Sequence, residues 1–311
     1  MTLQQLLGFC AVVDNDLRVS RAAEALHTTQ PAVSKMLRAV EEAVGTEIFL
    51  RRGNRLLGLT EAGREALALA RRAVHAARDM QAIGHGTGQQ GRGTLRIATT
   101  YIHARYALMP VLQRFAQVHP GVDVALVQGS SAQIADWVEQ GAADIGLSSL
   151  PAKVPAAVTG LECYPIERCL IVPHGHPLLA GGPPTLEAIA RWPLITYDEQ
   201  FDSGQVVRAG FQRKGLAPRI VLRATEADTI KAYVGAGFGV AVIQKMAVDP
   251  ALDRGLRVID TGSLFPTSIA FLTLRRDSFL RVHLRDFIGM VEARWSGPAL
   301  DAALEPQQRR R

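Results

Sequence analysis

The chain has 311 residues, 48% hydrophobic and 21% charged, which is enough for two or three domains with buried cores of their own. Its formal charge of +6 is unevenly placed: residues 1–93 hold 12 Lys and Arg against 9 Asp and Glu, residues 94–308 hold 20 against 20, and Arg309, Arg310 and Arg311 supply the rest. Three cysteines without a CxxC pair exclude a disulfide framework and a zinc finger, and neither a signal peptide nor an apolar run of membrane-span length is present, so the expectation is a cytoplasmic protein.

In chain order, Leu3, Leu6, Leu7, Cys10 and Val13 mark the inner face of a first helix. Residues 19–45, VSRAAEALHTTQPAVSKMLRAVEEAVG, read as a helix-turn-helix. The two helical patterns break at His27, Thr28 and Thr29; Thr29 suits the N-cap of the second, with Pro31 in its first turn, where a missing N–H is harmless. Val33, Met36, Leu37, Val40 and Val44 recur at helical spacing and predict the buried face. Pro31, Ser34, Lys35 and Arg38 project from the other side, where a hydroxyl and two cations suit a DNA major groove; Gln30 can pair with adenine. A surface helix with ordinary solvated charges is the plain alternative.

Residues 48–50 and 56–59 read as two short strands around RRGNR, a wing with Gly-Asn at its tip, placing Arg51, Arg52 and Arg55 along the phosphate backbone. Thr60 then caps a helix running to about Ile83, with Ala66, Ala70, Ala73, Ala77, Met80 and Ile83 as a stripe of mostly small residues. A lone helix offers that stripe nothing to pack on, so pairing with a second subunit is expected; lying on its own body is the alternative. Residues 85–93, HGTGQQGRG, read as a flexible break.

Beyond it, strand patterns at 95–99, 122–128 and 145–148 alternate with helical patterns at 107–119 and 133–140, a βαβαβ unit. Strands at 170–173, 194–196, 220–224 and 240–243, with helices at 206–214 and 228–236, form a second set; a strand at 268–274 and a helix at 280–295 return to the first. Two parallel sheets joined by crossovers would leave a cleft into which helix N-termini point. Cys163 and Cys169 suit two small semi-buried residues near a strand, or a regulatory thiol pair.

The segments SRAAEALHTTQPAVSKMLRAVEEAVGTEIFLR and LTEAGREAL resemble the N-terminal domain of LysR-type transcriptional regulators. ATTYIHARYALMPVLQRF, VQGSSAQIADWVEQGAADIGL, PLITY, GFQRKGLAPRIVLRATEADTIKAYVGAGFGVAVI and FLRVHLRDFI resemble the CysB-like branch, the regulators of cysteine biosynthesis and sulfur assimilation. The resemblance implies an α+β multidomain chain. A winged helix-turn-helix (1–59) leads through a linker and dimerisation helix with its hinge (60–93) to a periplasmic-binding-protein-like effector domain (94–311). That domain divides into subdomain 1 (94–163 and 266–295) and subdomain 2 (164–265). It further implies promoter DNA, a small effector and RNA polymerase as partners, a tetramer built as a dimer of dimers, and no cofactor or metal.

In that branch an inter-subdomain pocket takes sulfate-like anions and acetylated serine. The resemblance carries Thr100, Gln128, Gly129, Ser130 and Ser149 into it. Ile102 stands where the branch has threonine, His103 where it has glutamine, and Asp202, in FDSG, where it usually has threonine. A carboxylate repels a bound anion unless a cation neutralises it. An ammonium-bearing ligand, such as an acetylserine or a sulfur-bearing amine, therefore suits Asp202 better; otherwise His103 or Lys231 pairs with it, or it turns to solvent. His103 can equally be a hydrogen-bonded structural histidine.

No nucleophile elbow with a Ser-His-Asp order and no HExxH spacing points to catalysis. GAGFG (235–239) lacks the GxGxxG spacing and follows a helix, so it reads as a helix C-cap and a tight strand entry. A solute-binding module competes for residues 94–295 alone, and a regulator of an unrelated pathway with a non-sulfur ligand is the alternative within the family. The expectation is a metabolite-responsive regulator.

Overall fold

The computed structural model describes residues 1–53, 55–84, 93–262, 264–276 and 278–304. The expectations for Asn54 at the wing tip, the Ile83 side chain, the break at 85–92 and the tail Arg309 to Arg311 lie outside the described residues.

Helices α1 (Leu3–Asp14), α2 (Val19–Ala25) and α3 (Gln30–Val44) precede an antiparallel ribbon of β1 (Phe49–Arg52) and β2 (Arg55–Leu59). Thr29 Oγ1 accepts from the Ala32 amide, which starts α3, and Gly45 at φ +78° ends it. Val33, Leu37 and Val40 are buried as the spacing predicts, but Val44, in the last turn, is exposed. Helix α1 departs further from expectation: Gly8, Phe9, Cys10 and Val12 are buried, while Leu3 is exposed and Leu6, Leu7 and Val13 are half-buried. The reason is that α1 is packed between α3 and α4, so two of its faces are covered rather than one. Phe9 meets Phe49 of the wing edge to face at 5.5 Å.

Helix α4 (Glu61–Gly84) begins where Thr60 Oγ1 accepts from the Gly63 amide at 2.9 Å. Its buried positions are Gly63, Leu67, Ala70 and Val74, and they lie on the N-terminal core. Only Ala70 of the predicted stripe is among them; Ala66 and Ala77 are half-buried, and Ala73 and Met80 are exposed. On its own chain the burial comes from Leu67 and Val74, whose larger apolar area drives that packing, and most of the described stripe is left uncovered. The helix thus has a surface of its own chain to rest on. It also reaches the body, where His75 Nε2 meets the Gly141 carbonyl.

The body contains two sheets. Strands β3 (Gly93–Thr99), β4 (Val122–Gln128), β5 (Ile145–Ser148) and β6 (Val158–Ile166), with α5 (Leu108–Val118) and α6 (Ser131–Glu139), build the first. The second has β7 (Arg168–Pro173), β8 (Leu194–Tyr197), β9 (Ile220–Ala224), β10 (Val240–Gln244) and β11 (Leu256–Asp260), with α7 (Leu186–Ala190), α8 (Asp202–Gln212) and α9 (Ala227–Gly235). Strand β12 (Ser268–Arg275) then returns to the first sheet, followed by α10 (Val282–Val291) and α11 (Pro298–Leu304). The orders are β4-β3-β5-β12-β6 and β11-β7-β10-β8-β9.

The expectation of two parallel sheets is corrected: β12 runs antiparallel to β5 and β6, and β7 antiparallel to β10 and β11. Strands β6 and β11 were not anticipated. β6 carries the first sheet to Ile166, past the expected boundary between 163 and 164, so the chain crosses at Glu167. Cys163 and Cys169 are free and packed in different cores. Burial pushes their thiols up to about 11 and about 12, which makes them packing residues rather than a reactive pair. Glycines of the 235–239 run act as expected: Gly237 turns the chain at φ +80°, and a Cβ on Gly239 would come within 2.3 Å of the Pro193 carbonyl oxygen.

Gly63 packs against the wing so closely that a Cβ there would lie 2.0 Å from the Ile48 carbonyl oxygen. Gly63→Ala should lower N-terminal domain stability by about 1–3 kcal/mol. Calorimetry should show the loss in the transition of that domain and not in that of the body.

Candidate functional site

The face of α3 opposite its core presents Gln30, Pro31, Lys35 and Arg38 to solvent beside the cap Thr29, with Thr28 and Ser34 half-buried. In the wing, Arg52 and Arg55 are exposed and sit directly across the ribbon from each other. Like charges so placed repel unless an anion lies between them, which is the chemistry of a phosphate contact. Arg51 is placed differently from expectation: its Nη2 donates to Glu41 of α3 at 2.7 Å, and its guanidinium lies 5.6 Å from the centre of the Phe49 ring. Glu41 also accepts the Ile48 amide at 3.3 Å. Arg51 therefore braces the wing against α3.

The second candidate site is the cleft between the two sheets. Thr100, Tyr101, Ile102, His103, Ser131 and Ser149 line it from the first subdomain; Arg168, Tyr197, Asp202, Ser203, Thr225 and Gln244 line it from the second. The N-termini of α6 and α8 meet here because their opening residues, Ser131 and Asp202, sit at the ends of the sheets nearest the crossover. Ser131 Oγ donates to the Asp202 carboxylate across the gap. That bond closes the cleft to a cavity of about 40 Å³. A water needs a cavity of about 10–15 Å³, so this one has room for a few waters and not for a metabolite.

Asp202 therefore turns inward, and it pairs with neither His103 nor Lys231. Burial raises its pKa, opposed by the Ser131 hydrogen bond and by the Arg168 charge. Arg168 is buried; its guanidinium donates to the Pro266 carbonyl at 2.6 Å and to Ser268 Oγ at 2.8 Å, where the chain re-enters the first sheet. Burial lowers its pKa, yet an arginine keeps its charge in a protein. Arg168 Nε and Thr100 Oγ1 are buried and meet no hydrogen-bond partner among the described residues. The cleft lining thus holds a cation and a carboxylate, with two further polar atoms buried behind its surface. Tyr197 OH donates to Gln244 at 2.6 Å, and Gln244 donates to Ser203, which fixes the start of α8.

His103 is 2% exposed and shares a 2.9 Å hydrogen bond with Tyr164 OH. Burial pushes its pKa down to about 4, so it is neutral at pH 7. Lys231 lies outside the cleft: its Nζ donates to the Ala247 carbonyl at 2.8 Å, to Asp253 at 3.1 Å and to Tyr106 OH at 3.2 Å, and it sits 3.1 Å from Asp228. Tyr106 reaches this cluster from a π-helical turn, His103–Ala107, of the first subdomain. Gln128, Gly129 and Ser130 are also corrected. Gln128 is exposed, Gly129 lies under Trp137, and Ser130 forms a capping box with Gln133. The hydroxyl that enters the cleft is the next one, Ser131. Arg168 and Ser131 were missed because periodicity identifies a buried polar residue only when its partner is known; an arginine opening the apolar run RCLIVP was the available signal.

Residues 3–64 match the model of the bacterial regulatory helix-turn-helix protein, lysR family, and residues 88–296 match that of the LysR substrate binding domain. The chain belongs to the LysR family of transcriptional regulators. It is 38% identical over 290 residues to the HTH-type transcriptional regulator SsuR of Burkholderia cenocepacia, covering 93% of this chain and 94% of that one. It is 34% identical over 305 residues to CysB of the same organism, covering 98% and 97%. The cofactor-binding domain of the Cbl transcriptional regulator superposes with a TM-score of 0.65 at 33% identity, covering 71% of this chain and 98% of that one. These relatives agree with the branch read from the sequence. The LysR-family chain is a regulator with a DNA-binding head and an effector-binding body, not an enzyme. Among its described residues no helix is long and apolar enough to cross a membrane.

His103 stores a pH dependence. Unfolded, it titrates near 6.5, and folded near 4, so between these values the unfolded chain binds the extra proton and stability falls as pH falls. His103→Gln should remove about 2–3 kcal/mol of the difference in unfolding free energy between pH 7 and pH 4.5. Denaturant titration of both proteins at the two pH values measures it.

Proposed function

We propose that this LysR-family regulator senses a small zwitterion of sulfur assimilation in its cleft and controls genes of sulfur, cysteine or sulfonate metabolism from the cytoplasm. The observation that supports this reading is a buried Arg168 and an inward Asp202 on one hydroxyl-rich cavity. A ligand that carries both an ammonium group and a sulfonate or carboxylate meets both charges; taurine, with the two at its ends, and O-acetylserine, with both on one carbon, are such zwitterions. A simple sulfate would face Asp202 unpaired. The names of the relatives, SsuR and CysB, point the same way.

In this reading Gln30, Pro31, Ser34, Lys35 and Arg38 enter the major groove beside Thr28 and Thr29, and Arg52 and Arg55 hold phosphates. Leu69, Ala73 and Met80 leave an exposed line on α4, with Leu69 62% and Met80 73% accessible, and a second copy of the helix covers it. Two such dimers form the tetramer that meets RNA polymerase at the promoter. Ligand replaces Ser131 at Asp202, changes cleft closure and shifts the tetramer between shapes that bend DNA differently.

Footprinting of the operator tests the head: Lys35→Ala and Arg38→Ala should each weaken protection by about 1–3 kcal/mol, and full-strength footprints from both would remove α3 as the reading helix. A thermal-shift screen tests the cleft, since a ligand that binds only the folded protein raises its melting temperature. Taurine or O-acetylserine should stabilise the wild type and sulfate should not, whereas Asp202→Thr should reverse that order. A wild-type response to sulfate alone would overturn the zwitterion, and a response only to compounds unconnected with sulfur assimilation would overturn the sulfur assignment.

A further inference from the structure

Outside the cleft the two subdomains meet a second time. Subdomain 2 offers a preformed socket there: the buried Lys231 is held by the Ala247 carbonyl at 2.8 Å and by Asp253 at 3.1 Å, and Asp228, one turn earlier on α9, lies 3.1 Å from the same amine. Subdomain 1 supplies the group that enters it. Tyr106 OH donates to Asp228 Oδ1 at 2.6 Å and accepts from Lys231 Nζ at 3.2 Å, while Arg105 Nε lies 2.7 Å from Asp228 Oδ2. Hydrogen bonds to charged partners are roughly twice as strong as neutral ones, and this hydroxyl makes two. The Tyr106 ring and Ile102 also pack against the apolar core of subdomain 2.

Both halves of this contact are joined to the cleft by rigid backbone. Tyr106 sits in the π-helical turn His103–Ala107, in which the Leu108 amide donates to the His103 carbonyl, and His103 and the preceding Ile102 line the cleft. Such turns are rare and occur mostly at functional sites. From the other side, α9 begins with Ala227 on the cleft and continues with Asp228 in the socket. Neither Tyr106 nor Asp228 is among the residues that line the cleft.

We propose that Tyr106 and Asp228 form a second latch, which holds the two subdomains closed whether or not Ser131 is bonded to Asp202. Both contacts bridge the same two bodies, so opening has to break both. The latch stands apart from the cleft lining, and its strength sets the open fraction independently of what the cleft binds.

Spin labels at Ala132→Cys on α6 and Gln205→Cys on α8, exposed positions on either side of the cleft, read closure as a distance in the full chain. Labelled chains are diluted into unlabelled ones so that pairs within one chain are read; Cys10, Cys163 and Cys169 are at most 7% exposed to the label. Ser131→Ala removes the cleft bond and should leave most molecules at the short distance. Adding Tyr106→Phe, which keeps the ring and removes the hydroxyl, should raise the ratio of open to closed molecules about fivefold to tenfold. Asp228→Asn in the same background should open the body at least as far, because it also weakens the hold on Arg105. Tyr233→Phe removes an exposed hydroxyl from the same helix and should change nothing. A distance distribution unmoved by either Tyr106→Phe or Asp228→Asn would overturn the latch, even if the melting temperature fell, since that is the mark of a merely local role. Full opening by Ser131→Ala alone would overturn it too, by making the cleft bond the sole closure.

Discussion

The body of this regulator depends on one buried cation. Arg168 opens β7 just after the first crossover, and its guanidinium binds the chain at Pro266 and Ser268, just before the second passage ends. Both passages between the subdomains are thereby tied at one point. Two of its nitrogens meet a neutral carbonyl and a hydroxyl, and the Asp202 carboxylate, held by Ser131, lines the same cavity and favours its charge.

The head is organised by the packing of α1 on two sides. With α3 on one face and α4 on the other, α1 fixes the angle between those two helices. Met36 of α3 fits against Gly8, where a Cβ would lie 2.7 Å from its sulfur, and Arg71 of α4 pairs with Asp14 at the end of α1. The wing is held by Glu41 of α3 and by Phe9 of α1 together, so α1, α3, α4 and the wing form one packed unit.

Much of this was legible in the residues, for identifiable reasons. Helix α3 has one buried face and a capped start, so its pattern is clean, and strands β4, β5 and β9 fall where the apolar runs placed them. Helix α1 was misread because a helix covered on two sides has no single stripe. In α4, the burial on the head is carried by Leu67 and Val74, which the regular alanines do not mark. Strand β6 interleaves Gly160, Glu162 and Pro165 with its apolar residues, and β11 begins with Leu-Arg at a sheet edge, so neither resembles a buried run. The cleft was half legible. Thr100, Ile102, His103, Ser149 and Asp202 do line it, whereas Gln128, Gly129, Ser130 and Lys231 do not, because a capping hydroxyl and a cleft hydroxyl stand side by side at the start of α6. Which of the two points inward is a matter of helix phase.

The bond between Ser131 and Asp202 also sets a timescale. On the proposed reading, with the cleft reduced to a few waters' volume, an effector enters only those molecules in which this bond has opened, so its association rate and its apparent affinity both scale with the open fraction. A sensor of that kind answers a sustained supply of metabolite more readily than a brief pulse.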